Sequence, residues 1–154
     1  MVIGKMKMNP EDFFEWIGPT AKLICPAYGL YPSVCMAQAA IESGWGEYII
    51  GEYNLFGRKA VEGDRQTTLP TDEFINGEWV VVDAPFKLYD SLEEAIEDYC
   101  VLLTEEPVYQ DALIFIGKSR DAYIESMALV YATSPEYANS IKATIEANNL
   151  QEWD

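Results

Sequence analysis

The segment that most constrains this chain is residues 34–46, Val-Cys-Met-Ala-Gln-Ala-Ala-Ile-Glu-Ser-Gly-Trp-Gly. Val34, Met36, Ala37, Ala40 and Ile41 make the helix predicted from about Ser33 hydrophobic on most sides, so it belongs in the middle of a fold with other elements wrapped around it. Ser43-Gly44-Trp45-Gly46 stops that helix, and Glu42 stands just before the stop. A carboxylate in a last helical turn faces the negative end of the helix dipole, which disfavours the anion by roughly 0.3–1 kcal/mol. Apolar cover from Trp45 and Phe56 acts in the same direction, and a carboxyl still protonated near neutral pH serves as a general acid. Taken alone, the stretch also fits a solvated surface glutamate.

The flanking segments predict what surrounds the central helix. Asn9-Pro10-Glu11-Asp12 reads as an N-cap, a first-turn proline and first-turn acids, opening a helix to about Cys25 with Phe13, Phe14, Trp16, Ile17 and Ala21 on its stripe. Pro26 to Pro32 is a loop. Beyond Gly46 a short helical segment is expected through Ile50, then a tight apolar turn, Asn54-Leu55-Phe56-Gly57. Arg58 and Lys59 follow, either solvated or facing a substrate. Asn76-Gly77 between two β-forming runs predicts a type I′ hairpin with Ile75 opposite Glu78, Phe74 opposite Trp79 and Glu73 opposite Val80. Glu73 then points from the face that Phe74 and Trp79 do not occupy. Phe86-Lys87-Leu88-Tyr89 is expected as a third extended piece.

Ser91-Leu92-Glu93-Glu94 is a capping box for a helix with Leu92, Ala95, Ile96, Tyr99, Leu102 and Leu103 inward. A short helix is expected over Tyr109 to Ile116, closed by Gly117, and a further one capped by Asp121. A last helix opens at Ser134-Pro135-Glu136, carries Tyr137, Ile141 and Ile145, and ends at Asn148-Asn149. The fold class is α+β, mainly α, a single domain over residues 1–154 with a small β-hairpin lobe.

Charge and residue usage remove several function classes. Ten Lys and Arg against 26 Asp and Glu give a net charge of −16, which excludes nucleic acid as a partner and makes an anionic membrane surface unattractive. Histidine is absent, so histidine-based catalytic pairs and the common zinc sites are excluded, and no metal or cofactor is expected. Carboxylates, Tyr, Lys and Cys remain for chemistry. Cys25, Cys35 and Cys100 have no C-x-x-C spacing and lie in apolar segments, which predicts buried free thiols. The N-terminal residues lack an apolar signal region and a cleavage site, and no segment reaches membrane-spanning length, so membrane insertion is not expected.

Five blocks occur in order: residues 37–46, Ala-Gln-Ala-Ala-Ile-Glu-Ser-Gly-Trp-Gly; Asn54-Leu55-Phe56-Gly57; residues 71–77, Thr-Asp-Glu-Phe-Ile-Asn-Gly; residues 84–91, Ala-Pro-Phe-Lys-Leu-Tyr-Asp-Ser; and residues 131–138, Tyr-Ala-Thr-Ser-Pro-Glu-Tyr-Ala. Together they resemble the peptidoglycan β-N-acetylglucosaminidases of glycoside hydrolase family 73, from about residue 20 to the C-terminus. The resemblance implies a lysozyme-like helical fold whose β lobe faces a helical lobe across a glycan-binding cleft. It also implies Glu42 as general acid, Glu73 as second acid and Tyr131 as a supporting group in the same site. Asn54 and Phe56 are implied as sugar contacts, with Trp45 as packing around Glu42 or as a contact. Phe74, Trp79 and Tyr53 are further platform candidates. Departures from the family pattern are Arg58-Lys59-Ala60 and Ser134, neither at a proposed catalytic group.

Hydrolysis of a glycosidic bond needs an acid for the leaving oxygen and a route for water. If the hairpin holds Glu73 far from Glu42, water activation or help from the substrate's N-acetyl group is favoured over a covalent intermediate. The expected partner is the glycan strand of peptidoglycan, the expected site of action the bacterial cell wall, outside the membrane, and the expected state a monomer. A muramidase or lytic transglycosylase on the same fold, or a non-catalytic wall-binding protein, are the alternative readings; retention of both acids argues against the last.

Overall fold

The structure is a computed structural model that describes residues 6–154; the reading of residues 1–5 as free of a signal region lies outside the described residues. Among those described, six α-helices and one two-stranded sheet follow the order α1 (Pro10–Ile24), α2 (Pro32–Ser43), β1 (Gln66–Ile75), β2 (Glu78–Lys87), α3 (Leu92–Glu105), α4 (Gln110–Leu113), α5 (Arg120–Tyr131) and α6 (Tyr137–Ala147). Short 3-10 turns lie at Cys25–Tyr28, Pro107–Tyr109 and Leu150–Trp153. This is the expected mainly helical α+β fold.

α2 is buried without interruption from Pro32 to Ala40, as its all-round apolar surface requires. α1, α6 and the C-terminal 3-10 turn pack against it. α1 begins where the sequence signals it, with Asn9 Oδ1 accepting from the Asp12 amide at 2.9 Å and Pro10 in the first turn. Its buried stripe is Phe13, Phe14, Ile17 and Ala21. Gly18 on the same helix lets the Trp153 ring approach, since a Cβ there would lie 2.6 Å from that ring. The neighbouring Asp154 then caps α2 from across the fold, accepting from the Ser33 amide at 2.8 Å and the Ser33 hydroxyl at 2.7 Å. A carboxylate at a helix N-terminus meets both the free amides and the positive dipole end. The three cysteines are free and buried, as expected.

The hairpin forms in the predicted register, Ile75 opposite Glu78, Phe74 opposite Trp79 and Glu73 opposite Val80. Asn76 and Gly77 both take positive φ, 52° and 81°, as a type I′ turn demands. The base of the hairpin has its own small core, Ile50, Leu69, Ala84 and Phe86. Several local expectations are corrected. Among the described residues there is no third strand: β2 runs unbroken through Pro85 to Lys87, because in a two-stranded ribbon Pro85 lies on an edge where no partner needs its missing N–H. Its carbonyl instead accepts from the Ala60 amide at 2.9 Å.

The expected helix after Gly46 is a series of turns ending in an isolated pairing of Ile50 with Asn54. The run of left-handed residues Gly44, Trp45 and Gly46, at φ 57°, 60° and 91°, redirects the chain before a helix can nucleate. The segment from Tyr109 splits into a 3-10 turn and the four-residue α4. Ser119, not Asp121, caps α5, its hydroxyl accepting from the Ala122 amide at 3.1 Å. Beyond Asn149, which adopts φ 52°, the chain continues into the unforeseen 3-10 turn that carries Trp153.

Candidate active site

Glu42 is the penultimate residue of α2 and the point at which the buried helix reaches solvent. The stop behind it is built locally. The Ser43 hydroxyl donates to the Ala39 carbonyl at 2.7 Å and accepts from the Gly46 amide at 3.0 Å, while the Trp45 amide returns to the Ala40 carbonyl at 2.8 Å. Trp45 is held in its left-handed backbone by packing: its ring meets the edges of Phe13 and Phe14 at centroid distances of 5.9 and 5.4 Å. It supports the helix end.

Two phenols line the wall beside Glu42. Tyr131 closes α5 and Tyr137 opens α6, and their rings stack nearly parallel, 5.8 Å apart with 7° between planes. Both are pushed well above the ordinary tyrosine value, first by burial and then by charges around them that include Glu42. Glu42 itself has solvent at its outer side but protein crowding its carboxyl. That desolvation raises its pKa, and a hydrogen bond from Tyr137 offsets only part of the effect.

Behind Tyr137 lies Gln38, fully buried on α2. Its Nε2 donates to the Tyr137 hydroxyl oxygen at 3.2 Å, and its Oε1 accepts from the Tyr99 hydroxyl at 2.5 Å. Neither Gln38 nor Tyr137 stood out as a functional residue in the sequence. The available signal was a lone amide inside an apolar helix, one turn before the acid.

Glu73 stands on β1, four residues beyond the buried Leu69, on the hairpin face that continues from the small core. Its carboxylate is paired with Lys59 at 2.6 Å. Glu42 stands on the helical lobe and Glu73 on the hairpin. Arg58, beside Lys59, is also paired, with Asp98 of α3 at 3.3 Å. Asp98 further accepts from the Tyr89 hydroxyl at 2.5 Å and lies 3.4 Å from Lys87 Nζ. Burial works to raise the Asp98 pKa, but the Tyr89 hydrogen bond, Arg58 and Lys87 prevail and hold it below the usual range.

Asn54, Phe56 and Phe74, expected as sugar contacts, sit in three different surroundings. Asn54 is 2% exposed and its amide is consumed by backbone: Nδ2 donates to the Arg58 and Lys87 carbonyls at 2.9 and 2.8 Å, and Oδ1 accepts from the Arg58 amide at 3.0 Å. It ties the loop to the end of β2. Phe56 is buried and stacked on Tyr99, with centroids 4.6 Å apart, so its ring is core. Phe74 is exposed but lies on the opposite face of the hairpin from Glu73, edge-on to Trp79 at 5.3 Å. The half-buried Tyr53 lines an open cavity of about 620 Å³ with Trp16, Ile49 and Glu52, on the Gly46 side of the molecule.

A helical lobe whose central helix ends in a carboxyl, joined to a β-hairpin that carries a second one, is the lysozyme-like architecture. The family described as mannosyl-glycoprotein endo-β-N-acetylglucosaminidase matches residues 18–150, and the chain belongs to this glucosaminidase family. It is 34% identical to a probable N-acetylmuramidase of Lactococcus lactis subsp. lactis over 95% of its own length and 35% of the relative's. It is 35% identical to the peptidoglycan hydrolase FlgJ of Salmonella typhimurium over 90% of its length and 46% of that protein. The chain thus spans less than half of either. Its fold superposes on the crystal structure of the catalytic domain of the autolysin Auto from Listeria monocytogenes with a TM-score of 0.87 at 31% identity, covering 99% of this chain and 91% of the other.

Proposed function

We propose that this chain is a peptidoglycan hydrolase, an endo-β-N-acetylglucosaminidase that cleaves the β-1,4 bond after N-acetylglucosamine in the glycan strand. The observation that carries the reading is Glu42: a carboxyl closing the buried central helix, its pKa raised by desolvation, with two phenols beside it. In this reading Glu42 protonates the leaving glycosidic oxygen and Tyr131 lines the site next to it. Glu73, ion-paired and on the other lobe, is the second carboxylate, in the role of activating water or aiding the substrate's acetamido group. The whole chain acts as one domain and as a monomer at the bacterial cell wall, without a cofactor.

A muramidase reading of the same site is favoured by the name of the Lactococcus relative, with a lytic transglycosylase as its variant on the same fold. Mass spectrometry of digested, purified peptidoglycan separates the readings. New reducing N-acetylglucosamine ends support the first, and muramic or anhydromuramoyl ends select the second. Glu42→Gln is expected to lower the release of ends by about 10²–10⁴-fold, the usual contribution of a general acid. Undiminished release by a folded Glu42→Gln protein sinks the mechanism.

A further inference from the structure

A fully buried amide is retained only where its hydrogen bonds are met, and those of Gln38 run in one direction. Tyr99 donates to its carbonyl end, so the N–H end is what reaches Tyr137. The Tyr137 oxygen is then occupied as an acceptor, and its own O–H is left to point onward. Gln38 and Glu42 are one turn apart on the same face of α2, so the phenol held by Gln38 at 3.2 Å is placed beside the Glu42 carboxyl, whose pKa it lowers.

We propose that Tyr137, aimed by Gln38 and Tyr99, is a positioning residue that donates to one oxygen of Glu42 and thereby leaves the acid proton on the other, the oxygen turned toward the substrate. This rests on Glu42 being the proton donor and adds how that proton is placed. Once the proton has left, the same O–H stabilises the carboxylate, so Tyr137 eases the transfer as well as directing it. The other titratable groups around the site are Tyr131 from α5, stacked on Tyr137, then Tyr109, which acts on both phenols, and Arg58, which acts on Tyr131.

The test compares the pH dependence of kcat/KM on peptidoglycan for the unsubstituted chain, Tyr137→Phe and Gln38→Met, with 13C NMR titration of the Glu42 carboxyl, assigned by its loss in Glu42→Gln. Tyr137→Phe keeps the ring stack and removes the donor. Its alkaline limb and the Glu42 titration are both expected to move up by about one pH unit, the size of one hydrogen bond to a charged group, with kcat lowered and KM unchanged. Gln38→Met is expected to shift both in the same direction by less, and carries the comparison if Tyr137→Phe does not fold. An unmoved limb and titration, in a protein that Glu42→Gln inactivates, overturn the positioning role. Full activity of Glu42→Gln instead overturns the general-acid reading, and the NMR titration still reports the hydrogen bond.

Discussion

Glu42 is held in a state that costs the fold something. Burial favours its neutral form, the Tyr137 hydroxyl favours its anion, and burial is the larger influence, so the folded-state pKa lies above the unfolded one. Between those two values the native state binds more protons than the unfolded chain, and stability therefore falls as pH rises through that interval. Below the unfolded value both states are protonated and the penalty is gone; above the folded value it is fully present. Glu42→Gln removes the titration. The variant is expected to melt above the unsubstituted chain at pH 7, with the gap closing as pH drops below the usual carboxylate range, in thermal unfolding followed by circular dichroism. A variant less stable at pH 7 would mean that the Tyr137 contact outweighs desolvation. The same trade of stability for a poised acid is what a proton donor on a core helix requires.

The Asn54 amide joins the hairpin to the loop beneath it, alongside backbone bonds such as the Ala60 amide to the Pro85 carbonyl. Asn54 meets two carbonyls and one N–H, and one of those carbonyls belongs to Lys87 at the end of β2. Asn54→Ala strips all three bonds at a buried position, an expected loss of about 3 kcal/mol, on the order of 10 °C in Tm for a chain of this size. If Asn54 instead served mainly to contact sugar, the variant would keep its Tm and raise KM. The surroundings of Asn54 show what the sequence carries and what it does not. The hairpin register was readable because Asn76-Gly77 and the alternating residues around it act locally, and so were the α1 N-cap and the capping box at Ser91. The positions of Glu42 on the central helix and Glu73 on the hairpin were readable for the same reason. The surroundings of Asn54 and Phe56 were not, since they depend on Lys87 and Tyr99, which are distant in the chain. The Tyr99–Gln38–Tyr137 chain spans sequence separations of 61 and 99 residues, and no periodicity records such a contact. The Asp154 cap on α2, 121 residues from Ser33, was hidden in the same way.

At the scale of the whole molecule the net charge of −16 dominates approach to a substrate. Arg58, Lys59, Lys87 and Arg120 are each paired with an acid, so these cations offer little local attraction to an anionic wall polymer. Two effects of salt then compete. Screening weakens the exposed Lys59–Glu73 pair, but such a pair is worth only about 0–1 kcal/mol, and it also weakens the long-range repulsion between the acidic chain and an anionic wall. At about 0.01 M salt that repulsion reaches roughly 30 Å, and at about 0.15 M roughly 8 Å. The long-range effect is the larger, so turnover of intact wall is expected to rise as salt increases across that interval, while turnover of a soluble, uncharged N-acetylglucosamine oligomer stays flat. Measuring both substrates side by side isolates the field of the molecule from any change at the site. A fall on the oligomer alone would locate the salt sensitivity at Lys59 and Glu73. A fall on the wall with a flat oligomer response would show that the wall is met by a local cationic surface rather than by the molecule's overall charge.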